Sequence, residues 1–133
     1  MGHVTIASTG SNYAHNISSG VHSLVADEPP RLGGQDAGMA PFDLYLSALA
    51  ACTAITLRMY AEKKGWELGQ FHAELSSSRD EAGKLLVHRV LSATGALSGA
   101  QWERLLDVAT RTPVTLVMRE GAIITSEHRN LEG

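Results

Sequence analysis

Pro41-Phe42-Asp43-Leu44-Tyr45-Leu46-Ser47-Ala48-Leu49-Ala50-Ala51-Cys52-Thr53-Ala54-Ile55-Thr56-Leu57-Arg58 is the stretch on which the fold turns. Proline is well tolerated in the first turn of a helix, and Asp43 complements the positive end of the helix dipole. From Leu44 to Leu57 the apolar residues fall on every side rather than along one stripe. A helix patterned in that way is enclosed rather than laid on a surface. It becomes amphipathic only at Arg58, Glu62, Lys63 and Lys64, and Gly65 suits a left-handed stop. The chain's only cysteine, Cys52, stands in the middle of it.

Upstream, Val4 to Ala7, Tyr13 to Ser18 and His22 to Ala26 are short β-type runs separated by Gly, Asn and Ser, the pattern of a meander. Asp27 to Ala40 contains Pro29-Pro30, Gly33-Gly34 and Gly38 and reads as an irregular loop. Downstream, Phe71, Ala73 and Leu75 alternate with polar residues, Asp80-Glu81-Ala82-Gly83 makes a turn, and Leu85 to Ala93 returns as the second arm of a hairpin. Ser98 and Gln101 match a capping box ahead of Trp102, Leu105, Leu106 and Ala109 at helical spacing. Thr112-Pro113 breaks or restarts that helix, Val114 to Met118 is short and apolar, and Ala122 to Ser126 is expected as a last strand. Strands, helix, hairpin, helix and strand in that order predict an α+β domain spanning 1–133, with an antiparallel sheet packed on the long buried helix.

At 133 residues, 44% hydrophobic and 19% charged, the chain can bury a core without staples. A net charge of -3 with no basic cluster argues against a nucleic-acid partner. Met1 to Gly20 has no basic segment followed by an apolar run, and the charge-free stretch Leu44–Leu57 is short for a bilayer, so no membrane association is expected. One cysteine makes no internal disulfide, which points to a reducing cytoplasm. One sheet covers only one side of a helix apolar all round, so an obligate homodimer is expected to cover the other.

Cys52 is the first candidate for chemistry. A lone cysteine among alanines on a buried helix is most often a small hydrophobe, and reactivity requires a cation or donor brought from elsewhere in the fold. The six histidines show no metal-ligand spacing, and neither a phosphate loop nor a serine-hydrolase elbow is present, so no metal or cofactor is expected.

The stretch from Gly34-Gln35-Asp36-Ala37-Gly38 through Pro41 and Ala50-Ala51-Cys52 to Gly65-Trp66 closely resembles the OsmC/Ohr family, named for osmotically inducible protein C and organic hydroperoxide resistance. Pro41 and Cys52 keep the family's eleven-residue spacing, and Asp27-Glu28-Pro29 with Gly33-Gly34 resembles its redox-protein branch. The resemblance implies an OsmC-like intertwined homodimer with sites at the subunit interface. It further implies reduction of organic hydroperoxides by a thiolate near a basic residue, completed by a second cysteine. Here Thr112 stands at the second cysteine's position, before Pro113-Val114. Phe42 replaces the glutamate that often follows the proline, leaving Asp43 one place on, and Arg31 is the only arginine before the helix. The site implied is therefore Cys52, with Arg31 and Asp43 as supporting charges and Thr112 as a binding position.

Three functions are open on these residues. The first is a thiol-dependent peroxidase working through Cys52 with an external thiol as reductant. The second is a dimer that holds a small apolar molecule with Cys52 as pocket lining, and the third is a structural dimer with an inert thiol.

Overall fold

A computed structural model describes residues 2–131; the outermost positions of the expected 1–133 domain, residues 1, 132 and 133, lie outside the described residues. The elements run β1 (Thr5–Ser8), β2 (His15–Ser19), β3 (His22–Ala26), a 3-10 turn (Pro30–Leu32), α1 (Pro41–Lys64), β4 (Phe71–Arg79), β5 (Leu85–Ala93), α2 (Gly99–Ala109) and α3 (Pro113–Glu120). The chain divides into two compact units, residues 1–48 and 49–133, and the division falls inside α1.

In the first unit β1, β2 and β3 form an antiparallel meander, with Ile6 opposite Ile17 and Ile17 opposite Leu24. The loop that follows is irregular, as its prolines and glycines require, yet it is not loose. Its organiser is Asp27, only 2% exposed. Its carboxylate accepts from the backbone N–H groups of Glu28 (2.7 Å), Gln35 (3.1 Å) and Ala37 (3.1 Å). Gly34 and Gly38 make this winding possible: a Cβ on Gly34 would collide with the Glu28 carbonyl, and one on Gly38 with the Val25 carbonyl. The loop closes against β3 through a parallel bridge between Ala26 and Met39 and a hydrogen bond from the Asp27 N–H to the Met39 carbonyl.

In the second unit β4 and β5 form a nine-residue antiparallel hairpin, with Phe71 opposite Ala93 and Leu75 opposite Arg89. The Asp80–Gly83 turn is fixed by Gly83 at φ 83° and by the Lys84 N–H donating to the Asp80 carboxylate. Leu57 and Ala61 of α1, Leu68, and Leu105 and Ala109 of α2 make the buried core, with Trp66, Phe71, Leu91 and Trp102 packed against it. The expected capping box starts α2: Gln101 N–H donates to Ser98 Oγ, and Ser98 N–H to the Gln101 side chain. Thr112-Pro113 restarts a helix, with Pro113 in the first turn of α3, so the apolar run Val114–Met118 is helical.

One expectation is corrected. The last strand does not form: residues 121–131 carry no regular structure, and Ile123 is 98% exposed. A strand needs an edge to pair with, and among the described residues none takes up this segment. Within the single chain α1 is covered on one side only, as the sequence leads one to expect. It buries the stripe Leu49, Thr53, Leu57 and Ala61, while Ile55 and Met59 stay 56% and 60% exposed. By length and composition alone, its 24 residues are long and apolar enough to cross a membrane, a test that the core helix of a soluble protein also passes.

Candidate functional site

Three helices meet the head of one side chain on β5. Along that strand Leu85, Val87, Arg89, Leu91 and Ala93 are half-buried and alternate with exposed neighbours, so Arg89 occupies a position on the apolar, inward row. Its Nη1 donates to Thr53 Oγ1 of α1 at 2.9 Å and to Thr115 Oγ1 of α3 at 3.1 Å. Its Nη2 donates to the Ala109 carbonyl at the end of α2, at 3.1 Å.

The oxygens that receive these protons are themselves anchored. Thr53 Oγ1 donates to the Leu49 carbonyl at 2.7 Å, and Thr115 Oγ1 to the Ala109 carbonyl at 3.2 Å. Thr112 Oγ1 lies 2.6 Å from Thr115 Oγ1. All three threonines are buried. A buried polar group is tolerated when it is hydrogen-bonded, and among the described residues no buried side-chain nitrogen or oxygen lacks a partner.

No carboxylate pairs with Arg89 among the described residues. Burial pushes its guanidinium below its ordinary range, and the nearby charge of the Cys52 thiol draws it back up. Cys52 itself is half-buried, with Sγ 3.9 Å from Thr56 Oγ1 one turn along α1. Arg89 is anchored on Thr53, the residue that follows Cys52, and comes from the same unit of the same chain.

By sequence alone Arg89 is one residue of the β-rich run from Leu85 to Ala93, with nothing local to set it apart as functional. A charge on the apolar row of a strand demands partners, and the sequence Leu-x-Val-x-Arg-x-Leu-x-Ala places it there.

The other expected residues separate into two groups. Arg31 and Asp43 belong to the first unit, where both line a cleft of about 870 Å3 with Asp36 and Phe42. Arg31 lies in the 3-10 turn and is exposed; Asp43 is exposed in the first turn of α1, its carbonyl accepting from Ser47 Oγ at 2.7 Å. Cys52 and Thr112 belong to the second unit, and both converge on Arg89, Cys52 through charge and Thr112 through Thr115. Thr112 precedes α3 without capping it, because its hydroxyl is engaged by Thr115. Among the described residues no group of three His, Cys, Asp or Glu side chains is arranged to hold a metal ion.

A central helix with a half-buried thiol, an antiparallel hairpin that supplies a cation to it, and two short helices that hold the cation define an α+β protein built around a single cysteine. The chain belongs to the OsmC-like protein family, whose model matches residues 33–127. No curated protein sequence matches it. Among solved structures it is similar to an OsmC-like protein from Mycoplasma pneumoniae, at 17% identity and a TM-score of 0.76, covering 90% of this chain and 87% of that one. It is likewise similar to an organic hydroperoxide resistance protein OsmC from Legionella pneumophila, at 24% identity and a TM-score of 0.67, covering 90% and 89%. The organic hydroperoxide resistance protein OhrB of Bacillus subtilis matches at 23% identity and a TM-score of 0.63, covering 90% of each chain. At these identities the likeness establishes the fold.

Proposed function

We propose that this OsmC-like protein is a thiol-dependent peroxidase that reduces organic hydroperoxides through Cys52 alone. The observation that carries the reading is Arg89: a partly buried cation, held by neutral oxygens without a carboxylate, one of them on Thr53, the residue next to Cys52. Such a cation favours the thiolate, the form that attacks a peroxide. The Cys52 sulfur attacks one peroxide oxygen, the S–O bond forms as the O–O bond breaks, and the alcohol leaves carrying the proton. Sulfur is oxidised to sulfenic acid and the peroxide is reduced. The chain has no second cysteine. A low-molecular-weight thiol then displaces water from the sulfenic acid to give a mixed disulfide, and a second thiol molecule releases Cys52.

Hydroperoxide-dependent thiol consumption tests this directly. Wild type is expected to consume thiol in proportion to added organic hydroperoxide and Cys52→Ala to fall to background; equal rates would overturn the reading.

A second reading is supported by a separate cleft of about 540 Å3, lined by Thr56, Met59 and Tyr60 of α1 and by Val108 of α2. There the protein would bind a small apolar molecule without turning it over. Saturable binding of an apolar fluorescent probe, equal in wild type and Cys52→Ala, together with no peroxidase activity in either, favours that reading.

In either case the working form is a homodimer in the cytoplasm. The side chains that α1 leaves open, Ile55 and Met59, and the unpaired Ile123 support a partner copy covering them. Light scattering that gives a monomer at micromolar concentration would defeat the dimer.

A further inference from the structure

A guanidinium carries five N–H donors in a fixed plane, and three of those of Arg89 are engaged. The pattern of engagement is specific. Nη1 and Nη2 donate side by side to Thr115 Oγ1 and to the Ala109 carbonyl, two oxygens only 3.2 Å apart and joined by their own hydrogen bond. That arrangement occupies the outer end of the guanidinium. The second proton of Nη1 goes to Thr53. What remains is the side edge, Nε–H beside the other Nη2–H, which has no hydrogen-bonded partner among the described residues. Because no buried side-chain nitrogen lacks a partner there, Nε on that edge is not sealed off.

The hydroxyl protons explain why the arrangement persists. Thr53 gives its proton to the Leu49 carbonyl, which leaves a lone pair for Arg89. Thr115 gives its proton to Ala109 or to Thr112 and keeps a lone pair for Arg89 in both cases. Thr112 completes the set, with its hydroxyl 2.6 Å from that of Thr115.

We infer that Thr53, Thr115 and, through Thr115, Thr112 are positioning residues: they hold Arg89 by its outer end and by the inner proton of Nη1, and leave its Nε/Nη2 edge for the anion formed at Cys52. Thr112 thereby has a task that needs an oxygen and no redox chemistry. The inference rests on the reading of Cys52 as the reacting thiol, yet its test does not depend on peroxidase turnover. A side-edge fork gives two parallel donors, the geometry that guanidinium uses for two-oxygen anions, so the same edge also suits the oxygens of a bound peroxide or of the sulfenate.

The test is the rate of iodoacetamide alkylation of Cys52 at pH 7 in the full-length protein. Thr115→Val is expected to slow it about tenfold, the scale of coupling between members of one hydrogen-bonded network. Thr115→Ser, which restores the oxygen, should return the rate to near the wild-type value. In an Arg89→Met background, which is itself slow, Thr115→Val should have no further effect. If Thr115→Val does not fold, as judged by circular dichroism, Thr115→Ala replaces it in the same comparisons.

A wild-type rate in the folded valine or alanine variant would overturn the inference, as would failure of serine to rescue. The same slowing in the Arg89→Met background would also overturn it, because the threonine would then act without the arginine. Wild-type alkylation that responds in this way, with no hydroperoxide consumed, would sink the peroxidase and leave the positioning network standing.

Discussion

Each unit of this protein contains an ion that has been withdrawn from water and surrounded by neutral partners, and the two are complementary. In residues 1–48 the ion is Asp27, whose carboxylate accepts from three backbone N–H groups of a glycine-rich loop. In residues 49–133 it is Arg89, whose guanidinium donates to two threonine hydroxyls and one carbonyl. The anion is held by backbone from its own neighbourhood in sequence, at separations of one, eight and ten residues. The cation is held by groups from three helices, 20 to 36 residues away. Asp27 is almost completely covered and organises its loop, whereas Arg89 is covered only in part and keeps an edge open. A caged charge that is saturated is architecture; one that is left incomplete is available for chemistry.

The sharpest way to break that contrast is to remove the incomplete cation. Arg89→Leu should reduce Cys52-dependent hydroperoxide turnover about 100-fold, the scale of losing one preorganised electrostatic group. It should do so without unfolding the protein, since the oxygens it leaves on Thr53, Thr115 and Ala109 keep hydrogen bonds of their own. Steady-state rates together with a thermal melt check both halves, and a variant that keeps its activity would remove Arg89 from the mechanism.

Gly34→Ala attacks the other cage, because the new methyl would overlap the Glu28 carbonyl. A cost of roughly 1–3 kcal/mol is expected, in the range of overpacking a filled site, and urea denaturation measures it. Ser98→Ala touches neither cage and serves as the scale marker. Loss of the capping box should cost about 1 kcal/mol in the same assay.

The smallest effect at neutral pH belongs to the titration of Asp27. Burial raises its carboxyl pKa, but the N–H donors of Glu28, Ala37 and Gln35, with His15 adding to them, more than reverse this and leave it below the ordinary range. Its contribution to stability is therefore complete above the unfolded carboxylate value of ~3.9 and is lost as the pH falls through the lower folded value. Asp27→Asn should flatten the acid limb of a stability–pH curve, and an unchanged limb would show that the carboxylate is not the organiser of the loop.

How far these features are legible in sequence depends on the reach of the interactions that make them. The helix from Pro41 to Lys64, the hairpin, the Ser98 cap and the meander are set by local patterning, and all appear close to where that patterning places them. The last strand failed because Ala122 to Ser126 has the composition of a strand but meets no edge within the chain, and pairing is not a local property. Cys52 is recognisable from its place on the helix, and Arg31 is the one arginine that the sequence offers before that helix. Arg89 stands 37 residues after the thiol, and hairpin register rather than nearness in sequence delivers it to Thr53 beside Cys52.

That register has a further consequence. Side chains on a strand alternate between two faces, so the direction in which Arg89 points depends on whether the steps between the turn and Arg89 are odd or even in number. The pairing of Leu75 with Arg89 is counted from a turn closed by Gly83 and by the Asp80 carboxylate. Slipping β5 by a single residue would turn the guanidinium outward and bring His88 or Val90 in its place. The electrostatic control of the sulfur proposed above is thus subject to parity, and a four-residue bend at the far end of the hairpin keeps the count.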